Sequence, residues 1–340
     1  MNMMRRILTG LLLLGMLILS AGCGSNKNIY DADGVAHLRL SQASAADGAI
    51  GKSLEIFAKD VYEKSNGRIQ ISVFHNGQLG SERDNIEACE LGNLDIAVVN
   101  QSVLANFIPE IAVFDLPYTI ESEKHADAVF LGPIGNDFLQ RLSSVKLHGL
   151  VIWESGFRDL TNSKRPVVNV EDVYGLRVRV MENKIHQELW KALGADPVPM
   201  SWGDAYTGLQ QGALDGQENP PTVIDKNNVV EVNKHMAITQ HVYSTVFLIM
   251  SPKTWEGLTP DDQQLITECM NRANLNERLL SRQMDKEALD TLASKGMQIT
   301  YPNKSQFIAA TSSVRDEFSG TFKDTLDRIK QTAKDIGEEE

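Results

Sequence analysis

Two stretches of this chain concentrate side chains suited to holding an anion. The first runs Gly156-Phe157-Arg158-Asp159-Leu160-Thr161-Asn162-Ser163-Lys164-Arg165-Pro166 and closes with Gly175-Leu176-Arg177-Val178-Arg179-Val180. Alternate side chains of a strand share a face, so Leu176, Val178 and Val180 point one way and Arg177 and Arg179 the other. A guanidinium at a strand end offers planar, bidentate donors to a carboxylate. A solvated face is the plainer reading of the same spacing. The second stretch runs from Pro199 to Pro220, with Trp202 near its start and Asp215-Gly216-Gln217-Glu218-Asn219-Pro220 at its end. Polar side chains gathered in a turn after an apolar strand residue suit a binding loop.

The signatures of catalysis are missing from the sequence. It has no Gly-x-Ser-x-Gly elbow, no His-Glu-x-x-His and no Gly-x-Gly-x-x-Gly. Gly51-Lys52-Ser53 ends like a phosphate-binding loop, but Ala46 stands where that loop needs its first glycine. Asp31-Ala32-Asp33-Gly34 opens like a calcium loop that lacks its closing glutamate. The seven histidines are scattered, with no pair at metal spacing. Cys89 and Cys269 sit in helix-like segments and are expected to be free, buried thiols. No catalytic residue, cofactor or metal is expected.

The elements that must position the arginines follow an α/β rhythm. Strands are expected at His37–Ala43, Arg68–Phe74, Leu94–Val99, Leu147–Trp153, Leu176–Val180, Asp196–Met200 and Val246–Met250. Helices are expected at Gly51–Ser65, Ser81–Leu91, Lys184–Leu193 and Trp202–Gln211. One long helix is expected from Thr259 to about Ser294, capped by Thr259, with Pro260 in its first turn and Asp261 and Asp262 at its positive end. Strand alternating with helix argues for parallel α/β units.

The chain has 340 residues, 42% hydrophobic and 23% charged, enough for two domains with a real core. Its formal charge of −12 disfavours nucleic acid as a partner. Arg5 and Arg6 precede the apolar run Ile7–Leu19, a signal-peptide pattern, and Ser20-Ala21-Gly22-Cys23 follows as a lipoprotein cleavage box would. Residues 1–22 are therefore expected to be a signal peptide, Cys23 a lipidated anchor, and 23–35 a tether. Plain secretion, with Cys23 inside the discarded peptide, is the alternative. Loss of Arg5 and Arg6 takes the formal charge from −12 to −14.

Several runs, in order, resemble the solute-binding proteins of tripartite ATP-independent periplasmic (TRAP) transporters, of the dicarboxylate/sialate-binding type. They are Asn76-Gly77-Gln78-Leu79-Gly80, Leu91–Asp95, Ala112–Tyr118, Gly156–Pro166, the strand carrying Arg179, and Asp215–Pro220. The resemblance spans about Leu38 to Phe318. It implies an α/β, two-lobed periplasmic-binding-protein-like fold with a hinged cleft and a long C-terminal helix crossing both lobes. By analogy lobe I takes 36–155 plus 245–284, and lobe II takes 156–244 plus 285–340.

The resemblance also implies roles. Arg179 matches the arginine that pairs with a ligand carboxylate, Arg158 a second arginine supporting the same group, and Asn219 an asparagine bonding the carboxylate side. Trp202 matches an aromatic that packs over the ligand. A buried, unpaired guanidinium is costly, so an anion should trigger closure. In lobe I, Gln42, Ser81, Glu82 and Asn100 are the candidate selective contacts. Sialate binders carry an acid where Asn100 aligns, which disfavours sialic acid. Neutral amides and hydroxyls suit a sugar acid such as a uronate or aldonate. A C4-dicarboxylate is the alternative, though no second distal cation is evident. The implied partners are TRAP membrane subunits, and the expected state is an extracytoplasmic monomer anchored by lipid. A ligand sensor presenting to a membrane receptor would share this chemistry. A secreted enzyme would need a base near the reacting carbon and, usually, a cofactor.

Overall fold

The computed structural model describes residues 29–337, so the expected signal peptide, Cys23 and the first part of the tether lie outside the described residues. The chain opens β1 (Ala36–Ser41), α1 (Ala49–Lys64), β2 (Ile69–Phe74), α2 (Glu82–Leu91), β3 (Ile96–Asn100) and α3 (Gln101–Leu104). Next come α4 (Glu123–Phe130), α5 (Pro133–Arg141), β4 (His148–Phe157), β5 (Asp159–Asn162), β6 (Arg177–Val180), α6 (Lys184–Ala192) and β7 (Asp196–Pro199). Then follow α7 (Trp202–Gln210), β8 (Gly216–Asn219), α8 (Pro221–Lys226), β9 (His235–Ala237), β10 (Tyr243–Met250) and α9 (Pro252–Gly257). The chain closes with α10 (Pro260–Ser294), β11 (Gln298–Thr300), α11 (Lys304–Ala310), α12 (Ser312–Ser319) and α13 (Lys323–Asp335).

These strands form two sheets, one per lobe. Lobe I is built on the order β2-β1-β3-β10-β4, lobe II on β11-β9-β5-β8-β6-β7. In lobe I, β1 runs parallel to β2 and β3, whereas β10 returns antiparallel between β3 and β4. Every residue of β3 and β10 is buried, as befits central strands covered on both faces. One face carries Leu54, Phe57 and Val61 of α1 against Ile266, Cys269 and Met270 of α10. The other carries Ile86 and Cys89 of α2 with Phe130 and Phe138 of α4 and α5. Cys89 and Cys269 are free and buried.

Four segments cross between the lobes, the last being the stretch from α11 to α13 that returns the chain to lobe I. β4 runs into β5 through Arg158, and β9 runs back into β10. These two crossings are bonded to each other, Arg158 N donating to Val242 O (2.9 Å) and His241 N to Arg158 O (3.3 Å). The third is α10, whose 35 residues extend roughly 50 Å at 1.5 Å per residue. Its first half packs in the lobe I core, and Leu292 packs with Ile224, Val229 and Met236 of lobe II. Thr259 caps it, accepting from Asp262 N at 3.2 Å.

Two segments sit differently from the sequence assignment. Ile29 and Tyr30, grouped with the tether, lie against the lobe I core, and Tyr30 donates from its hydroxyl to Asp262 at 2.6 Å. Residues 323–335, grouped with lobe II, form α13, whose Leu326 and Ile329 join the lobe I cluster around Phe130 and Phe138. These buried side chains hold the helix there, with an exposed ion pair of Arg328 and Asp137 (2.6 Å) beside them. An amphipathic helix reveals its apolar face in sequence but not the surface that covers it.

Candidate functional site

Arg179 lies in β6, the strand paired with both β7 and β8, and the sheet carries it to the cleft edge. Its strand neighbour on the same face, Arg177, is half-exposed and tied to Asp215 at 3.0 Å. Arg179 itself is 2% exposed. Its Nε and Nη2 donate to Met200 O (2.9 and 2.6 Å), and Nη1 lies 3.6 Å from Met181 Sδ. Among the described residues no carboxylate stands within 4 Å of it. Burial lowers its pKa to about 10, against the pull of Glu218 and Glu82. The Trp202 ring stacks 5.6 Å from the guanidinium carbon. Arg179 and Trp202 face a cleft of about 560 Å³ shared with Ser81 and Glu82.

Arg158, also 2% exposed, differs because it has a carboxylate partner. Its Nε pairs with Glu218 Oε2, and its Nη2 bonds Glu218 Oε1 (2.9 Å) and the Glu218 carbonyl (2.6 Å). Nη1 remains toward the cleft, 3.3 Å from Ser244 Oγ. Burial alone would raise the Glu218 carboxyl; Arg158, the bond from His241 and nearby His186 together hold it well below the usual range. Since ionised Glu218 only accepts, His241 Nε2 donates to it (3.0 Å), leaving Nδ1 to accept from Thr239 Oγ1 (2.9 Å). The Arg158 charge is therefore balanced by Glu218, whereas that of Arg179 is not paired.

Asn219, one residue on in β8, lines the same recess as both arginines, its Nδ2 bonded to Gln217 Oε1 at 2.6 Å. Across the cleft, Glu82 accepts from Asn100 N at 2.9 Å, and burial pushes its carboxyl up to about 7. Asn100 lines the recess but spends its side chain on Ser102 N (2.9 Å) and Ser244 Oγ (2.8 Å). Ser81 caps α2 in a box with Asp84 and sits at the cleft mouth. Gln42 is not brought to the cleft: it lies beneath the wall, its Nε2 against His75 Nδ1 at 2.6 Å. The fold thus brings Arg158, Arg179, Trp202, Asn219, Glu82 and Asn100 together and leaves Gln42 behind.

Sequence reasoning missed Glu218 as the partner of Arg158, and Met181, Ser44, Ser155 and Glu182 as lining residues. The signal for Glu218 is the β5–β8 register, Leu160 opposite Glu218, which only the sheet reveals.

The family model for bacterial extracellular solute-binding protein, family 7 (DctP), matches residues 40–321. A solute-binding protein of Verminephrobacter eiseniae is 34% identical over 295 residues, 86% of this chain and 88% of the relative. The sugar-acid-binding protein of Advenella mimigardefordensis, solved with galactonate, superposes with TM-score 0.86 at 30% identity, covering 88% of this chain and 98% of that one. A TRAP periplasmic solute-binding protein of Polaromonas, bound to D-erythronate, gives 0.84 at 33% identity, covering 86% and 97%. One of Sulfurospirillum deleyianum, with succinate, gives 0.83 at 28% identity, covering 87% and 97%. The family and these relatives are solute-binding proteins, not enzymes.

Proposed function

Because the chain belongs to the bacterial extracellular solute-binding proteins of family 7, we propose that it captures a sugar acid and delivers it to TRAP membrane subunits, with the acid's carboxylate on Arg179. The observation that carries this reading is a guanidinium 2% exposed, without a carboxylate partner among the described residues, at the edge of a cleft of about 560 Å³. Such a charge is poorly compensated until an anion arrives, so binding supplies the partner that burial withholds. Trp202 packs over the same group, and Asn219 and Arg158 line the same recess.

The lining of the cleft other than Arg179 favours hydroxyls over a second carboxylate. Its charged residues, Glu82 and Glu182, are acids, and the remaining polar groups include Ser81, Asn76 and Asn228. A dicarboxylate would place its far end against acids, whereas a polyol chain donates to them. Galactonate and D-erythronate in the two similar structures fit this preference, while succinate in the third keeps C4-dicarboxylates as the competing class. We further propose that residues 1–22 are removed and that lipidated Cys23 tethers the monomer outside the cytoplasm.

The test is a thermal-shift panel on residues 24–340, unfolded and refolded to strip carried-over ligand. Ligand at 100 times its Kd adds about 2.7 kcal/mol. Aldonates or uronates should shift the transition, and their neutral sugar counterparts should not. A response to succinate alone would replace the sugar-acid reading, and no response to any acid would overturn it.

A further inference from the structure

Behind the cleft, where the β4–β5 and β9–β10 crossings pass α10, one side chain of that helix reaches the start of α8, just after the strand that carries Asn219. Asp285 of α10 accepts with a single oxygen, Oδ1, from both Thr222 N (2.9 Å) and Thr222 Oγ1 (2.6 Å). Thr222 stands three residues beyond Asn219, and the intervening residues are Pro220 and Pro221. Two consecutive prolines have fixed φ, so this linker is stiff and a pin at Thr222 is felt at Asn219. Glu218, which holds Arg158, precedes Asn219 in the same strand. Val223, next after Thr222, lines the recess itself.

The other oxygen of Asp285 faces the first crossing. Gly156 there has φ +109°, and a Cβ at that position would sit 2.4 Å from Asp285 Oδ2. The positive φ favours glycine there, and an added Cβ would also displace the Asp285 carboxylate. Asp285 touches the end of β4 and the start of α8 at once, from a helix whose ends are embedded in different lobes.

We propose that Asp285 is a positioning residue for ligand capture, clamping Thr222 so that Asn219 and the Glu218–Arg158 pair are held in binding geometry. It touches no ligand and acts through Thr222. The inference rests on the reading that the recess around Arg179 and Asn219 is the ligand site.

Charge is not the requirement; the acceptor is. The groups facing Asp285 around a cavity of about 160 Å³ are Glu123, Glu154 and Asp159 on one side and Arg282 and Lys286 of its own helix. Asp285→Asn keeps an Oδ1 able to accept both Thr222 bonds and removes the charge, whereas Asp285→Ala removes the acceptor.

The experiment uses the full mature chain and the acid giving the largest shift in the wild-type panel, with Kd and dissociation rate measured at pH 7. Asp285→Ala should weaken binding about tenfold, equivalent to about 1.4 kcal/mol, mainly through faster dissociation. Asp285→Asn should restore affinity to within about threefold of wild type. Thr222→Val should weaken binding on its own yet add little in the Asp285→Ala background. If Asp285→Ala folds and binds like wild type, or if it lowers apo stability without changing Kd, the positioning role is wrong. Should Asp285→Ala fail to fold, Thr222→Val alone decides, and unchanged affinity there is equally fatal. A wild-type protein that binds no acid would instead sink the functional reading on which this rests.

Discussion

Replacing Arg179 with methionine separates two energies that usually move together. In the free protein the guanidinium is 2% exposed, and burial brings its pKa from 12.5 to about 10. At 1.36 kcal/mol per unit, that is roughly 3 kcal/mol of unfavourable desolvation in the folded state. Methionine removes it, at the cost of the bonds to Met200 O, whose carbonyl then loses about 1–3 kcal/mol. The apo variant should therefore be as stable as wild type, or more so by about 1 kcal/mol. Bound, the ledger reverses. A ligand carboxylate left without its cation loses about 2–5 kcal/mol, which is about 30-fold to several thousandfold in Kd. Urea unfolding of the stripped protein and calorimetric titration with the preferred acid measure the two separately. Affinity within threefold of wild type, or an apo form destabilised by more than about 3 kcal/mol, would refute this account of Arg179.

Other outcomes follow from the same structure. Glu82, pushed up to about 7, faces the cleft, and its charged form repels an acid ligand, so Kd should rise from pH 6 to pH 8 and Glu82→Gln should flatten that slope. A wild-type Kd equal at both pH values would remove Glu82 from the binding account. Burial raises Asp285 to about 7 and Asp159 and Glu277 to about 8. Their folded forms bind protons that the unfolded chain releases near pH 4, so this stability is full below about pH 4 and lost as pH rises to about 8. Apo unfolding free energy should fall between pH 5.5 and 8.5, less steeply in Asp159→Asn; a flat or rising profile contradicts the assignment. Finally, Cys23→Ser should release the protein from the membrane fraction in cells, and mass spectrometry should find acyl chains on Cys23 of wild type; an unmodified, soluble wild-type protein would favour plain secretion.

Much of this was legible because local chemistry and long-range structure agree. The alternation around Arg179 puts it on one face of a strand, and the strand does enter the cleft. The long helix announced itself through Thr259, Pro260 and a continuous pattern to Ser294. Illegible parts are those decided by tertiary register. Glu218 meets Arg158 because β5 and β8 pair antiparallel, which no local pattern encodes. Residues 101–146 fold as short helices and the 3-10 turn Pro109–Asp115, too brief for periodicity to declare itself. Gln42 follows β1 directly, and its polarity suits a ligand contact as well as its actual bond to His75. Asp285 lies among other charged residues of α10, and only Thr222 marks it out.

The central claim is most directly tested by the crystal structure of the mature chain with the acid that stabilises it most. The account predicts the carboxylate in bidentate contact with the Arg179 guanidinium under Trp202, Asn219 beside it, and hydroxyls toward Ser81 and Glu82. A carboxylate bound elsewhere, with Arg179 still turned only to Met200 O, would contradict it.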